Sequence, residues 1–339
     1  MKDVLTKLTN ANHLRYEEMQ QAARQLFATD VTDSEIAAFL VALKAKGETA
    51  EELAGLASIM REVALDIPVT GTDFIDNCGT GGDGSQSFNI STTAAFVLAG
   101  AGAKVAKHGN RSVSSKTGSA DVLEALGVKL DETPEELAAL LETNGIAFLF
   151  AQRMHPRVKQ IMKVRRDLRI PTIFNLIGPL TNPVPLKTQL LGIYREDLLE
   201  TMALTLHRLG RKRAIVLHGA CGMDEASLAG TNQLVLLDQG ELIRFSLHPE
   251  EVGLSVAPIE AIRGGTAAEN ADILLRVLQG EAGPYRDTVL LNAGIALFAE
   301  GRVQTIREGI ERSAESIDSG RALEKLQYLQ RMKQEEAIG

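Results

Sequence analysis

Four glycines within six residues follow directly on a short apolar segment, and this stretch most constrains the fold. Phe74 and Ile75 predict a strand, and the turn Gly79-Thr-Gly-Gly-Asp-Gly84 lets the backbone take positive φ angles and approach a ligand without Cβ atoms in the way. The alanine-rich run from Ala94 to Ala101, opened by Asn89-Ile-Ser-Thr-Thr93, predicts a helix after the turn. The free N–H groups of the turn and of the helix N-terminus together predict a phosphate site.

The glycine pattern alone leaves the ligand open. Gly79-x-Gly81-x-x-Gly84 satisfies the dinucleotide fingerprint, but that fingerprint requires a helix that begins at the loop and an acidic residue about 20 positions further on. Here Ser85 to Ser91 separate the last glycine from the predicted helix, and the next predicted strand ends in Lys107 and His108. The spacing therefore predicts a phosphorylated small molecule as ligand, with a purely structural turn as the alternative.

Charge and composition argue against several classes of function. The chain of 339 residues carries 36 Lys+Arg against 44 Asp+Glu, and a net charge of −8 disfavours nucleic acid or an anionic membrane as partner. Cys78 and Cys221 are the only cysteines, so neither a disulfide framework nor a zinc ribbon is expected. The first residues lack an apolar signal segment, and the longest apolar stretch, about 94–103, is too short to span a bilayer. We expect a cytoplasmic protein.

Residues 1–70 are predicted to form a small helical domain, joined by part of 165–190. Thr32-x-x-Glu35 and Thr49-x-x-Glu52 are capping boxes that begin two of its helices. Apolar residues follow the second box at heptad-like spacing: Leu53, Leu56, Met60 and Val63. This stripe exceeds what a monomer of that size would cover, so we hypothesise a homodimer formed through these helices.

Residues 71–339 are predicted to form a larger α/β domain with a central, mostly parallel sheet flanked by helices, because strand and helix patterns alternate. The further predicted strands are 104–107, 146–150, 189–194 and 214–218, followed by a hairpin over 233–247. The further predicted helices are 119–126, 134–141, a helix from about 156, 197–209, 267–279, 287–299, 302–318 and 320–333. A Pro/Gly/Asn-rich loop over 175–183 interrupts the alternation, and such rigid loops often carry binding residues.

Basic residues cluster after the second predicted strand of this domain. Lys104, Lys107, His108, Arg111 and Lys116 fall within thirteen residues of an acidic chain. They indicate either a solvated loop or, as we favour, a loop that closes over a polyanion on the glycine turn. Hydroxyls suited to phosphate oxygens accompany them at Ser112, Ser114, Ser115 and Ser119.

Asp224 and Glu225 follow the predicted strand 214–218 in a glycine-flanked loop. Such a loop can turn both carboxylates towards one cation. Mg²⁺ is the natural candidate, because it binds through one or two carboxylates together with substrate phosphates. Two surface acids beside a turn are the alternative.

Arg165 lies within an apolar helical stripe, unlike its neighbours Lys163 and Arg166. A buried arginine needs a partner, because an unpaired buried charge is costly. The partner is either a carboxylate of the protein or the carboxylate of a substrate.

Taken together and in order, these motifs resemble the anthranilate phosphoribosyltransferase family of tryptophan biosynthesis, and the resemblance covers nearly the whole chain. The motifs are Gly79-Thr-Gly-Gly-Asp83, Asn89-Ile-Ser-Thr92, the run from Lys107 to Glu124, Asn175-Leu-Ile-Gly-Pro-Leu-Thr-Asn-Pro183 and Met223-Asp-Glu225. The resemblance implies transfer of a phosphoribosyl group from phosphoribosyl pyrophosphate to the amine of anthranilate, with Mg²⁺, in a homodimer whose sites lie between the two domains.

The resemblance also implies roles for individual residues. Phosphoribosyl pyrophosphate would be bound by Gly79, Gly82, Asp83, Ser87, Asn89, Ile90, Ser91, Thr92, Lys107, His108, Gly109, Asn110, Arg111, Ser115 and Ser119. Anthranilate would be bound by Gly79, His108, Asn110, His155, Arg165 and Pro179. The metal would be held by Ser91, Asp224 and Glu225.

No residue is predicted to act as a general acid or base. An arylamine is neutral at pH 7 and already carries its lone pair, so positioning and electrostatic stabilisation of the leaving pyrophosphate would suffice. Two alternatives remain at this point: a pyrimidine nucleoside phosphorylase of the same architecture, and a non-catalytic relative that binds nucleic acid.

Overall fold

The computed structural model describes residues 1–111 and 117–338. In this part of the chain the strands are β1 (Phe74–Gly79), β2 (Val105–Gly109), β3 (Ile146–Phe150), β4 (Leu186–Gly192), β5 (Arg213–His218), β6 (Asn232–Asp238) and β7 (Glu241–Leu247). The first seven helices are α1 (Lys2–Thr9), α2 (Tyr16–Leu26), α3 (Asp33–Lys46), α4 (Ala50–Glu62), α5 (Ile90–Gly100), α6 (Ser119–Ala125) and α7 (Pro134–Thr143). The others are α8 (Ala151–Met154), α9 (Lys159–Leu168), α10 (Leu199–Arg208), α11 (Ala267–Leu278), α12 (Pro284–Glu300), α13 (Ile306–Asp318) and α14 (Arg321–Ile338).

The strands form one mixed sheet in the order β3-β2-β1-β4-β5-β6-β7. β1 to β5 pair in parallel, whereas β6 and β7 are antiparallel and form the predicted hairpin. The chain runs outward from β1 to β3 and then returns to place β4 on the other side of β1. The strand order therefore reverses between β1 and β4, and ligands of open α/β sheets bind at the carboxyl ends of the strands at such a point.

Local signals explain where several helices begin. The predicted capping boxes at Thr32 and Thr49 are both present: each threonine hydroxyl accepts from the N–H three residues on, and that glutamate accepts from the threonine N–H. Thr133 and Thr266 begin α7 and α11 in the same way. The observed elements confirm the predicted fold class, a small helical domain with a larger α/β domain.

Several predicted boundaries are wrong by a few residues: β4 begins at Leu186 rather than 189, α12 at Pro284 rather than 287, and α13 at Ile306 rather than 302. Two further differences lie near the glycine turn. α5 begins at Ile90, so five residues rather than seven separate it from Gly84. β2 continues to Gly109, because it pairs with β3 through Gly109↔Phe150. Lys107 and His108 therefore lie inside a strand, and their side chains point to opposite faces of the sheet.

The apolar side chains form two cores on the two sides of the sheet. One contains α5 and α11 to α14. The other joins the N-terminal helices to α9, α10 and one face of β4, β5 and β6, and it includes Ile161, Val164, Ile173, Phe174 and Ile177. The segment 161–180 thus packs with the N-terminal helices, whereas the domain boundaries themselves stay a prediction.

The apolar stripe of α4 is covered within a single chain. Leu53, Leu56 and Met60 are buried, and α4 packs against α2 and α10. The excess apolar face expected from the sequence is therefore not available at these residues for a second copy. None of the helices in the described ranges has both the length and the apolar character needed to cross a membrane.

A buried ion pair fastens the start of α4. The side chains of Lys46 and Glu52 are 2% and 0% exposed, with 2.8 Å between Nζ and Oε2. Glu52 also accepts from the N–H groups of Leu14 (2.9 Å) and Thr49 (2.9 Å). One carboxylate therefore joins the α1–α2 connection, the end of α3 and the start of α4.

Replacing Glu52 with Gln should lower the free energy of unfolding by about 3 kcal/mol, because the Lys46 ammonium would stay buried without a counter-charge. Urea denaturation followed by circular dichroism measures the change. Glu51→Gln is the matched control, since Glu51 forms an exposed ion pair with Arg208 at 2.7 Å and its loss should cost less than about 1 kcal/mol. Equal losses in the two variants would contradict the role of the buried pair.

Candidate functional site

The glycine turn lies at the carboxyl end of β1, where the strand order reverses. Gly81, Gly82 and Gly84 have φ angles of 70°, 84° and 72°, a region that favours glycine. The N–H of Thr80 donates to the carbonyl of Gly192 at the end of β4 (2.9 Å), which ties the turn to the neighbouring strand. The backbone of the turn is therefore held beside the crevice between β1 and β4.

Asp224 crosses directly over the ends of these two strands. A Cβ at Gly79 would overlap its carboxylate, and a Cβ at Gly192 would overlap its carbonyl oxygen. The N–H of Gly81 donates to Oδ2 of Asp224 at 2.6 Å. The two regions that the sequence places in one site, the glycine turn and the acidic loop, are thus in direct contact.

Lys107 and Ser91 complete this side of the site. The Lys107 side chain is 2% exposed, and its Nζ donates to the carbonyl of Asn77 (3.0 Å). The Asn77 amide in turn donates to the carbonyl of Ser91 (2.8 Å) at the N-terminus of α5. Glu225 lies within hydrogen-bonding reach of Ser91, and its carboxylate is attracted electrostatically by the Lys107 ammonium. A buried ammonium, a helix N-terminus and two carboxylates therefore converge at the end of β1.

The two carboxyl groups hold their protons more tightly than isolated acids do. Burial raises the pKa of Glu225 to about 7, although Lys107 and Ser91 act in the opposite direction. Burial, together with the charges of Glu225 and Asp83, raises the pKa of Asp224 well above its usual value. A divalent cation would relieve this crowding.

The donor set fits a cation that also takes oxygen ligands from a substrate. Among the described residues, no group of three or more His, Cys, Asp or Glu side chains could hold a metal ion by itself. Asp224, Glu225 and the Ser91 hydroxyl offer oxygen ligands only, which suits Mg²⁺ rather than a metal that prefers nitrogen or sulfur.

The opposite face of the sheet carries a neutral, buried site around His108. Its backbone N–H donates to Asp76 (3.2 Å), and its Nδ1 lies 3.2 Å from the carbonyl of Gly178. Because a carbonyl only accepts, Nδ1 carries the proton and Nε2 is left as an acceptor. Burial and the neighbouring His155 lower the pKa of His108 to about 3, so its ring is neutral. The rings of His108 and His155 pack edge to face at 5.5 Å.

The predicted loop 175–183 lies against this face. Its Asn182 amide donates to Asp76 (3.0 Å) and to the carbonyl of Ala106 (2.8 Å), so the loop is bonded to β1 and β2. Pro179 is buried in a short 3₁₀ turn, Gly178–Leu180, beside His108. Pro179, His108 and His155 are therefore brought together.

Arg165 is half-buried on α9, as its place in the apolar stripe predicts. Its guanidinium donates to the Asn175 side chain (3.3 Å) and lies over the Phe174 ring at 5.6 Å. Burial lowers the pKa of Arg165. Within the described ranges no carboxylate pairs with it, so its charge can meet a carboxylate from outside the chain.

Several other predicted residues surround the turn in structural roles. Asn89 precedes α5, and its side chain accepts from Asn270 (2.8 Å). Ser87 forms a bridge with Arg263, while Ile90 and Thr92 are buried in the first turn of α5. The Ser119 hydroxyl donates to the carbonyl of Asn110 (3.1 Å), and Gly109 leaves room for that hydroxyl.

The basic cluster does not converge as a unit. Lys104, just before β2, pairs with Glu142 (2.8 Å). Arg111 pairs with Asp121 (2.8 Å) and Glu124 on α6, so its contact with an anion stays a prediction. Ser112, Ser114, Ser115 and Lys116 lie outside the described residues.

Sequence reasoning missed several polar residues beneath the site. Asp76 interrupts an apolar strand, which is a signal for a buried network, and Asn182 belongs to a loop already singled out. Tyr194 lies beside Gly82, where an added Cβ would be 3.7 Å from its ring. Nothing in the local pattern distinguishes Tyr194 from an ordinary strand end.

Comparison with known proteins identifies the class to which this fold and site belong. Residues 2–64 match the helical bundle domain of a glycosyl transferase family, and residues 71–323 match its a/b domain. The two family models together cover nearly the whole chain, so the chain belongs to this glycosyl transferase family.

Comparison with individual relatives shows which family of glycosyltransferases this is. The chain is 94% identical to an anthranilate phosphoribosyltransferase of Exiguobacterium sibiricum over the full length of both. It also resembles the crystal structure of the Thermus thermophilus enzyme of that name, with a TM-score of 0.93 and 42% identity over 98% of this chain and 99% of that one. The chain belongs to the anthranilate phosphoribosyltransferase family, which confirms the resemblance found in the sequence.

Structures of the Saccharomyces cerevisiae enzyme show ligands of a more distant relative. One was solved with phosphoribosyl pyrophosphate and Mg, at a TM-score of 0.89 and 27% identity over 98% of this chain and 97% of that one. Another was solved with 4-fluoroanthranilate, at a TM-score of 0.87 and 26% identity over 99% of both chains.

Gly192→Ala should push the acidic loop away from the glycine turn, because the new Cβ would overlap the Asp224 carbonyl oxygen. The Gly81 amide would lose its acceptor, and we expect its hydrogen exchange to become roughly 10-fold faster. Mass spectrometry of peptides covering 79–84 and 219–226 measures this.

Gly55→Ala is the control, since its Cβ would overlap the Met19 side chain between α4 and α2, in the N-terminal helices. That variant should lose stability without faster exchange in the two peptides. Unchanged exchange in Gly192→Ala would show that the loop is not held by this close approach.

Proposed function

We propose that this chain transfers the 5-phosphoribosyl group of phosphoribosyl pyrophosphate to the amine of anthranilate and releases pyrophosphate, a step of tryptophan biosynthesis. One observation carries the proposal: the N–H of Gly81 and the carboxylate of Asp224 meet at 2.6 Å where the strand order reverses. An amide nest and a cation-binding carboxylate pair there can hold one pyrophosphate from two sides. The named relatives support the choice of substrates over those of a nucleoside phosphorylase.

The donor side of the reaction uses the α5 face of the sheet. The Lys107 ammonium and the amides of the glycine turn and of the α5 N-terminus offer positive potential to the phosphate groups. Asp224, Glu225 and Ser91 would hold Mg²⁺. When bound, the cation neutralises negative charge on the departing pyrophosphate. These residues are fixed by hydrogen bonds before the substrate arrives, so little reorganisation accompanies the reaction.

The acceptor side uses the opposite face. Arg165 would bind the carboxylate of anthranilate, since the described residues supply it with none. The unprotonated Nε2 of His108 is buried without a hydrogen-bond partner in the described part of the chain and can accept from the amine. Asn110, His155 and Pro179 would enclose the ring.

The amine needs no general base before it attacks. His108 and His155 have pKa values lowered to about 3 and about 4 by burial, so neither is a strong base at neutral pH. Burial raises the pKa of the Cys78 thiol to about 12, which makes it a poor nucleophile. These properties support catalysis by orientation and charge stabilisation: the C–N bond forms as the C–O bond to pyrophosphate breaks, and the resulting ammonium then releases a proton to water.

The quaternary structure and location are also proposals. We infer a homodimer through the N-terminal helices from the family resemblance. Within 1–70, the large apolar side chains of Val41 on α3 and Leu65 are 41% and 37% exposed and remain for such a contact. We also propose a cytoplasmic location, as the sequence analysis expects.

The proposed function is tested by following anthranilate fluorescence with purified protein. Consumption should require both phosphoribosyl pyrophosphate and Mg²⁺, and pyrophosphate should appear in equal amount. Consumption that continues with ribose 1-phosphate in place of phosphoribosyl pyrophosphate, or no consumption at all, would overturn the proposal.

Arg165→Ala should raise the KM for anthranilate by about 10- to 100-fold, the effect of losing one charge-assisted hydrogen bond. The KM for phosphoribosyl pyrophosphate should change little. Arg166→Ala is the matched control, because Arg166 is the exposed neighbour on the same helix. A similar rise for both substrates would argue against carboxylate recognition by Arg165.

Asp224→Asn combined with Glu225→Gln should lower kcat/KM by at least about 100-fold at low Mg²⁺, because the ligands that position the cation lose their charge. Titration of activity against Mg²⁺ measures the effect. Asp272→Asn with Glu281→Gln removes the same charge from an exposed pair around Arg276 and should leave the titration unchanged. Identical Mg²⁺ dependence in the first variant and the unmodified enzyme would remove the metal role.

A further inference from the structure

A second buried polar chain runs beneath the acceptor side of the site. Arg211, between α10 and β5, is 1% exposed, and its Nε donates to the side-chain oxygen of Gln189 on β4 (3.2 Å). Gln189 is fully buried, and its Nε2 donates to the carbonyl of Pro179 (2.6 Å). Arg211, Gln189 and Pro179 thus form one continuous chain of hydrogen bonds, which ends at a residue predicted to bind anthranilate.

The donor and acceptor groups at its two ends fix the direction of the hydrogen bonds from Arg211 to Pro179. A guanidinium can only donate, and a backbone carbonyl can only accept. The Gln189 oxygen must therefore face Arg211, and its NH₂ group must face Pro179. Arg211 selects the amide orientation in which Gln189 can hold the turn.

The turn Gly178–Leu180 is held from the other side by His108. The carbonyl of Gly178 accepts from His108 Nδ1 (3.2 Å) and from the Thr181 hydroxyl (2.9 Å). The carbonyls of Gly178 and Pro179 are therefore anchored to β2 and β4, respectively. A change in either anchor shifts Pro179 relative to the His108 ring.

The placement of Gln189 on the sheet supports a role on this face. Gln189 pairs with Asp76 in the parallel register between β1 and β4. Cross-strand neighbours share a face, and Asp76 binds the loop through Asn182 (3.0 Å). The donor side, formed by Lys107 and Ser91, lies across the sheet.

Packing alone is a weak reason for this arrangement. Arg211 Nη2 is buried without a hydrogen-bond partner in the described residues, and burial lowers the pKa of Arg211 to about 9. An apolar side chain of similar volume would fill the same space without that desolvation.

We propose that Gln189, oriented by Arg211, is a positioning residue for the aromatic acceptor. It holds Pro179 at the distance from His108 that anthranilate requires. The inference rests on the proposed function. Gln189 contacts neither substrate, yet its loss should weaken the binding of anthranilate and not that of phosphoribosyl pyrophosphate.

Gln189→Met keeps the length of the side chain but removes the donor to Pro179. The KM for anthranilate should rise about 10-fold, as expected when one buried carbonyl loses its partner, while the KM for phosphoribosyl pyrophosphate stays within about 2-fold. Thr188→Val is the matched control. Thr188 is the adjacent buried residue of β4, its hydroxyl has no partner in the described ranges, and its loss should leave both constants unchanged.

Gln189→Glu separates positioning from stability. An ionised carboxylate still accepts from Arg211 but cannot donate to Pro179, so at a pH where the new carboxyl group is ionised, and with the thermal midpoint showing that the variant is folded, the KM for anthranilate should be raised. Arg211→Met should raise the same constant, and the combination with Gln189→Met should raise it no further, because both act through one chain.

The outcomes are distinct. A normal KM for anthranilate in folded Gln189→Met or Gln189→Glu overturns the inference, as does an equal rise for both substrates. An unmodified enzyme that consumes no anthranilate overturns the proposed function, and the inference with it. If Gln189→Met does not fold, the Gln189→Glu result decides by the same criterion.

Discussion

The contact between the Gly81 amide and the Asp224 carboxylate organises the rest of the molecule. It joins residues 143 positions apart at the crevice between β1 and β4. The close approach is possible because both strands end in glycine, so no side chain stands between the acidic loop and the sheet. The glycine turn, the α5 N-terminus and Lys107 are then gathered around one small volume. The parallel sheet fixes the ends of β1 and β4 relative to each other and so brings these groups together.

The sheet also separates two kinds of electrostatic environment. On one side, an ammonium, oriented amides and two crowded carboxylates favour a metal-bound polyanion. On the other, a neutral His108 and the buried Asn182 and Gln189 amides form a site suited to an uncharged amine. Arg165 supplies a positive charge at the edge of that neutral region, where a carboxylate can be recognised. Under the proposed function, donor and acceptor would meet at the end of β1 although their surroundings differ.

Local sequence patterns predicted the elements well, because local forces set them. The predicted strand 146–150 coincides with β3, and the threonine caps begin helices where expected. Helical periodicity alone predicted that Arg165 lies on the apolar side of its helix, and the residue is half-buried. The partners of Arg111 and the burial of the α4 stripe were not predictable, because they depend on which helices pack together after folding. The same holds for Gln189, whose partner Pro179 is identified by the sheet and the loop together.

Lys107 and His108 are consecutive residues of β2, and this limits insertions and deletions within the strand across the family. Deleting or inserting one residue within the strand would exchange the cation and the neutral ring between the two compartments, since side chains alternate across a sheet. The charge would then enter the region proposed to receive the arylamine, and the imidazole would replace the ammonium beside the proposed phosphate site. Length changes should therefore accumulate in the outer loops of such enzymes and be excluded from this five-residue strand.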